Sequence, residues 1–377
     1  MLLDDLYTPC LIVDKQKLTA NIDRMNARSK KLGVSFRPHV KTTKCIPIAL
    51  LINDGMVGPI TVSTLREAEY FADAGFKDII YAVSIVPSKL PRVNALLERG
   101  VDLKLLIDDL GVAMELNDYD LNIDGKYRVL IEIDVDMHRA GKSSDDPTVI
   151  EIARILHEGQ NSEFCGVLTH AGESYTCSSE EELINAAEDE RALIVMAAQN
   201  IRAAGIPCNI VSCGSTPTAT FAKNLGGVTE LRAGVYVFQD LFQSGRNVCE
   251  KDELALTVLT TVISHKTNQN RIITDAGGMA LSKDQSTHGT NFDCGYGLVS
   301  DLDGKIIENL FVKGANQEHG IITTQDGSKI DYDRFHIGTK LRIFPNHACM
   351  TAAAYESYNI IDQKENKLEI WYRCNGW

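Results

Sequence analysis

Between about residue 36 and residue 240, short runs of consecutive Ile, Val and Leu alternate with longer segments whose apolar positions follow a helical period. The runs predict strands at 36–42, 60–64, 78–83, 103–108, 128–134, 165–171, 209–215 and 230–237. Apolar residues on successive positions suit parallel strands covered on both faces. The periodic segments predict helices. One starts after Thr64, an N-cap that Glu67 completes as a capping box, and closes at Gly75. Another runs over 180–204 and stops at Gly205-Ile206-Pro207. Eight strands alternating with helices over ~200 residues predict an α/β fold, a (β/α)8 TIM barrel. A doubly wound open sheet is the alternative, but no GxGxxG follows the first strand to support a dinucleotide-binding version.

After about residue 250 the helical period fades. Short β runs appear at 255–264, 271–274, 306–312, 340–344 and 367–372, separated by turn clusters such as Asp301-Leu302-Asp303-Gly304. They predict a separate C-terminal β domain, sandwich or barrel. The segment 8–14 also reads as a strand and is placed to pair with that domain. The expected division is a barrel over 15–245 and a β domain made of 1–14 and 246–377.

Composition narrows the function. The 377 residues carry a formal net charge of −13 and no basic stripe, which opposes nucleic-acid binding. No apolar run reaches the ~18 residues of a membrane span, and the first residues lack the basic flank and apolar core of a signal peptide. Ten scattered cysteines without a CxxC read as reduced thiols in a cytoplasmic protein.

In a (β/α)8 barrel, chemistry gathers at the C-terminal ends of the strands. Here those ends carry His39 and Lys41, the loop Asp136-Met137-His138-Arg139-Ala140-Gly141, His170 with Tyr175 beyond it, Gly214-Ser215-Thr216-Pro217, and Arg232-Ala233-Gly234-Val235-Tyr236. A lysine where a strand gives way to a helix suits a Schiff-base nucleophile. Gly214-Ser215-Thr216 offers backbone N–H groups and hydroxyls at a helix start, after the strand where barrels often hold phosphate. Taken singly, each has a plainer reading: a capped helix for the Gly-Ser-Thr run, a core histidine for His170, a surface position for Arg139, an ion pair to Glu132 or Glu230 for Arg232. Together, a phosphate cup, a strand-end lysine, an imidazole and two arginines suggest pyridoxal 5′-phosphate. Near the C-terminus, an extended Arg342-Ile343-Phe344-Pro345-Asn346-His347-Ala348-Cys349 would put His347 and Cys349 on one face, a soft pair that favours zinc, or another divalent metal. A partly buried cysteine beside a hydrogen-bonded histidine is the plainer reading. His319, in the polar run 314–320, is a metal or substrate contact or simply part of a turn.

The motifs Pro38-His39-Val40-Lys41-Thr42, Thr61-Val62-Ser63-Thr64, Leu168-Thr169-His170-Ala171-Gly172, Gly214-Ser215-Thr216-Pro217-Thr218, Glu230-Leu231-Arg232-Ala233-Gly234-Val235-Tyr236 and Pro345-Asn346-His347-Ala348-Cys349 span nearly the whole chain. In this order they resemble the fold-type III, alanine-racemase-like pyridoxal-phosphate enzymes. The branch is that of the D-serine dehydratases, D-threo-3-hydroxyaspartate dehydratases and D-threonine aldolases. The resemblance implies Lys41 as Schiff-base residue, His170 stacked on the pyridine ring, Arg139 near the ring hydroxyl and Arg232 near the ring nitrogen. It places Gly214, Ser215, Thr216, Gly234 and Tyr236 around the phosphate, and His347 and Cys349 on zinc. It also implies a homodimer with the site at the interface, acting on a D-amino acid. Aldolases of the branch carry His and Asp where this chain has His347 and Cys349, so the resemblance implies dehydration to an oxo acid and ammonia. Retro-aldol cleavage of D-threonine is the alternative. Racemization and non-catalytic cofactor binding follow at a distance.

Overall fold

The structure, a computed structural model, describes residues 3–119, 121, 125–137, 139–290 and 292–377. It divides into two compact units, Asp23–Gly234 with Cys374–Trp377, and Met1–Ile22 with Val235–Arg373.

The first strand, β1 (Cys10–Asp14), belongs to the second unit. The barrel unit holds β2 (Ser35–Pro38), β3 (Ile60–Val62), β4 (Asp78–Ser84), β5 (Asp102–Ile107), β6 (Tyr127–Ile133), β7 (Ser162–Thr169), β8 (Ile210–Cys213) and β9 (Glu230–Ala233). Each falls on one of the eight runs read from the sequence. All pair in parallel, in the order β2-β9-β8-β7-β6-β5-β4-β3, and a bridge between His39 and Thr61 closes the ring between β2 and β3. Ile80, Leu106, Leu130, Cys165 and Leu168 form one buried cluster of this unit. The helix after β3 starts at the expected cap, but the expected capping box does not close. Thr64 accepts the Glu67 N–H at 3.0 Å, while the Glu67 carboxylate takes the N–H of Ser63 at 3.1 Å, one residue before the cap. The long helix is Glu180–Ala203, capped by Ser179.

Near the N-terminal ends of the strands the barrel carries a belt of alternating charge. Arg37 of β2 reaches Glu230 of β9 and Asp78 of β4, each at 2.9 Å. Lys104 of β5 binds Asp78 and Asp102, each at 2.8 Å, and Arg128 of β6 binds Asp102 at 2.5 Å. Burial alone would raise the Asp78 carboxyl, but Arg37 and Lys104 outweigh it and hold it below the usual carboxylate range. This end of a barrel serves stability; the opposite end is left for chemistry.

The β unit adds β10 (Leu256–Lys266), β11 (Arg271–Thr274), β12 (Gly297–Ser300), β13 (Ile306–Ala315), β14 (Gly320–Thr324), β15 (Lys340–Pro345), β16 (Ser357–Asp362) and β17 (Lys367–Tyr372). Its sheet runs β11-β14-β13-β12-β15-β10-β1-β16-β17, and a further pairing of β11 with β10 closes six of these strands into a small barrel. β1 pairs antiparallel with β10 and parallel with β16. β12, β14 and β16 were not among the sequence expectations. Among the described residues no helix is long and apolar enough to cross a membrane, and no disulfide joins the cysteines.

Candidate active site

Lys41 sits in the turn that follows β2. Backbone bonds fix this turn: His39 N–H to Ala233 O at 2.8 Å, Val40 N–H to Thr61 O at 2.9 Å, and Lys44 N–H to Val40 O at 2.7 Å. The strand therefore ends at Pro38, earlier than its apolar run suggested. Lys44, the other lysine of the segment, is held at 3.1 Å by the fully buried Glu67. Gly234, just past β9, presses against the turn. A Cβ there would lie 3.1 Å from His39 O and 3.3 Å from Thr42 Oγ1, a tight contact that the turn could admit only by giving a few tenths of an ångström.

His170 follows β7. Its Nδ1 lies 3.1 Å from Gly214 O, and since a carbonyl only accepts, Nδ1 carries the hydrogen. Burial, with Lys41 and Arg139 nearby, holds the pKa well below the ordinary histidine value, so the ring is neutral. The Tyr175 ring stands 6.0 Å away, tilted by 39°. Arg232 is buried on β9, giving one Nη to Ser212 Oγ at 2.6 Å and the other to Thr169 O at 2.5 Å. Its Nε is buried and has no partner. Neither Glu132 nor Glu230 pairs with Arg232 directly. Glu230 is reached through Ser212, whose hydroxyl donates to it at 2.6 Å. Arg139 is exposed in the loop after β6 and acts electrostatically on Glu132 and His170. His138 of that loop lies outside the described residues.

The loop after β8 is drawn tight. Gly214 has φ +127°, and a Cβ there would meet Arg232 O at 2.3 Å. Ser215 caps the helix Thr216–Phe221: its Oγ accepts the Thr218 N–H at 3.2 Å, and its own N–H donates to Thr218 Oγ1 at 2.9 Å. The Gly214 N–H goes to Glu190 Oε1 at 3.0 Å. Two amides of this loop are thus committed inside the protein, and the Ser215 hydroxyl also meets Ser174 Oγ at 2.9 Å and Thr218 Oγ1 at 3.0 Å. Tyr236 lies in the other unit, fully buried there.

These residues fit pyridoxal 5′-phosphate. The buried Arg232 Nε–H is a donor that a pyridine nitrogen would satisfy, the neutral imidazole suits a stacked ring, and glycine keeps the lysine turn close to the end of β9.

The β unit holds the His-Cys run, and here the geometry differs from the expectation. β15 stops at Pro345, and His347 is the N-cap of the helix Ala348–Ala352, so the run is not extended. The chain turns because Asn346 is buried, accepts from Thr287 Oγ1 at 2.6 Å and donates to Gly295 O at 2.7 Å, while Asp240 takes the Ala348 N–H at 2.9 Å. The helical turn still brings Cys349 within hydrogen-bonding reach of His347. Asp284 meets His347 Nδ1 at 2.9 Å. Burial would lower the imidazole's pKa, but Asp284 and Cys349 push it up to about 11, and Asp284 itself falls to about 2. A carboxylate on one ring nitrogen orients the other toward a metal, as in carboxylate–histidine–zinc sites. Among the described residues no group of three or more His, Cys, Asp or Glu forms a metal cage. Two donors with the outer carboxylate fit a soft divalent ion that takes its remaining ligands from water or substrate. His319 closes the β13–β14 turn through a bond from Asn316 N–H to its carbonyl at 2.9 Å.

Sequence patterns did not point to Ser212, Glu190 or Asp284. Asp284 lies 63 residues from the histidine it meets, beyond any local motif. Glu190 left a trace, since it falls in the buried stripe Leu183, Ala187, Glu190, Ile194 of its helix.

Comparison with known proteins agrees across the chain. Residues 13–241 match the family described as "Alanine racemase, N-terminal domain", and residues 255–361 the "Putative serine dehydratase domain". The chain is 46% identical to a D-threo-3-hydroxyaspartate dehydratase of Delftia sp. over 99% of its own length and 98% of the relative's. The solved structure of that protein superposes with a TM-score of 0.97, covering 100% of this chain and 99% of the other. One solved variant of it, a cysteine-to-alanine mutant, is described as metal-free. A D-serine dehydratase of Dictyostelium discoideum is 31% identical over 100% of the chain and 98% of the relative. A D-threonine aldolase of Arthrobacter sp. is 28% identical over 94% and 89%.

Proposed function

The chain belongs to the alanine-racemase-like family, in the branch of the D-threo-3-hydroxyaspartate and D-serine dehydratases, and from that membership we propose a pyridoxal-phosphate-dependent lyase that dehydrates a D-β-hydroxy amino acid. The observation that carries the choice of dehydration is the contact of His347 with Cys349, where the resemblance implies His and Asp for an aldolase. When bound, the cofactor supplies an electron sink for the pair left at Cα. Lys41 would anchor it through Nζ and, with the substrate amine in its place, would take up the α-proton. His170, neutral and tied to Gly214 O, would pack against the ring, with Tyr175 beside it. Arg232, fixed by Ser212 and Thr169, would offer Nε–H to the ring nitrogen, and Arg139 would address the ring hydroxyl. The resemblance adds Gly214, Ser215, Thr216, Gly234 and Tyr236 as residues that would surround the phosphate. His347 and Cys349 would hold zinc, whose Lewis acidity supports departure of a hydroxide. A homodimer and a cytoplasmic location belong to the same reading; the cysteines without a disulfide fit a reducing compartment.

The test is a panel of D-amino acids with oxo-acid detection. D-Serine and D-threo-3-hydroxyaspartate are expected to release oxo acid and ammonia. Glycine and acetaldehyde from D-threonine, with no oxo acid from the other two, would reverse the assignment to the aldolase. Cys349→Ala is expected to keep the cofactor, lose bound zinc by elemental analysis, and drop in turnover by about 10–100-fold or more. A variant with unchanged activity would remove the metal from the reaction.

A further inference from the structure

Glu190 is a carboxylate with 2% exposure, on a helix whose neighbouring inward positions are Ala187 and Ile194. A buried charge in an apolar stripe is costly unless hydrogen bonds hold it. Here hydrogen bonds offset part of that cost, burial still raising the pKa, and each comes from the segments that follow β7 and β8. One oxygen accepts the N–H of Ala171, directly after His170, and the N–H of Gly214, both at 3.0 Å. The carboxylate also binds the Thr218 side chain, whose hydroxyl already accepts the Ser215 N–H and so gives its own hydrogen to Glu190. Gly214 O in turn receives the His170 ring hydrogen. One side chain therefore ties the loop after β7 to the loop after β8.

We infer that Glu190 is a positioning residue of the cofactor site, setting the imidazole and the Gly214-Ser215 loop in place before the cofactor arrives. The inference rests on the cofactor reading given above. An acceptor-only group is needed here because three donors converge on it. Glutamine can keep the two backbone bonds through its oxygen and must reverse only the Thr218 hydrogen, whereas methionine fills the same space and accepts nothing.

The experiment is pyridoxal 5′-phosphate titration of cofactor-free protein. If the wild-type chain does not bind it, the cofactor reading itself fails. Given wild-type binding, Glu190→Met is expected to weaken the affinity by about tenfold or more, and Glu190→Gln to stay within about threefold, the scale of losing or keeping buried hydrogen-bond acceptance. Wild-type affinity in a folded Glu190→Met protein overturns the inference, even if its thermal midpoint falls. Hydrogen exchange on the wild-type protein needs no variant. The Ala171 and Gly214 amides are expected to be protected already without cofactor, and exchange at open-loop rates would equally overturn it.

Discussion

Lys41→Ala should lower oxo-acid formation from the preferred D-amino acid by about 10⁴-fold or more, since it removes both the covalent anchor and the base for the α-proton. The turn itself should survive. Its backbone bonds run from His39, Val40 and Lys44, and Gly234 supports it from the end of β9, so none depends on the identity of residue 41. A normal far-UV spectrum, an unchanged unfolding midpoint and loss of the visible absorbance of lysine-bound cofactor are expected together. A small primary amine added to the variant should restore part of the rate, because it supplies a base where Nζ stood. Turnover above about a hundredth of wild type without added amine would show that another group takes the proton. Lys44 is the nearest lysine, and its ion pair with Glu67 turns it to a different task.

The second large effect lies at the other end of the barrel and touches stability. Arg37→Met leaves the Glu230 and Asp78 carboxylates without their shared cation. The Arg37 and Glu230 side chains are 6% and 8% exposed, so solvent does little to compensate. Breaking such a pair costs about 3–5 kcal/mol, a large part of the ~5–15 kcal/mol that holds a domain together. Urea unfolding measures it, and a loss under about 1 kcal/mol would mean that the belt is not a stabilising device. Adding Glu230→Met should return part of the stability, because the carboxylate left by Arg37 is gone, while the buried Arg232 loses its largest favourable charge. It should not return full activity: Glu230 also fixes Ser212, which orients Arg232. Stability and turnover would then separate in one variant.

Most of the barrel was legible because strands such as β4, β5, β6 and β7 carry Ile, Val and Leu on successive positions, where burial on both faces writes itself into the sequence, whereas Ser-Phe-Arg-Pro of β2 and Glu-Leu-Arg-Ala of β9 hold no such block. β12, β14 and β16 were not. Gly297–Ser300 has four residues, Gly320–Thr324 has five and begins on glycine, and Ser357–Asp362 mixes Ser, Asn and Asp into its run. Their identity as strands comes from neighbours in the sheet rather than from local preference. The site divides in the same way. Lys41, His170 and Arg232 were marked by residue type at strand ends, where the architecture concentrates chemistry. The groups that hold them, Ser212, Glu190 and Asp284, are ordinary residues whose meaning depends on contacts distant in sequence. The His-Cys pair was recognised on the assumption of a strand, yet the two side chains meet through a helix cap, because Asn346 and Asp240 turn the chain where apolar periodicity carries no signal.

The pairing of β1 has a consequence for how the protein comes into being. β1 leaves the ribosome before the barrel strands, but its hydrogen-bonding edges belong to β10 and β16, which both follow them. The barrel strands, all made in between, are available to each other throughout. Synthesis from the N-terminus therefore favours a nascent chain with a formed barrel and one unpaired, apolar strand before it, Cys10-Leu11-Ile12-Val13-Asp14, until β10 and β16 have been made. Slow translation or truncation beyond the barrel would leave that strand as a sticky edge. For such a chain, yield in a cell depends on how promptly β10 and β16 follow the barrel.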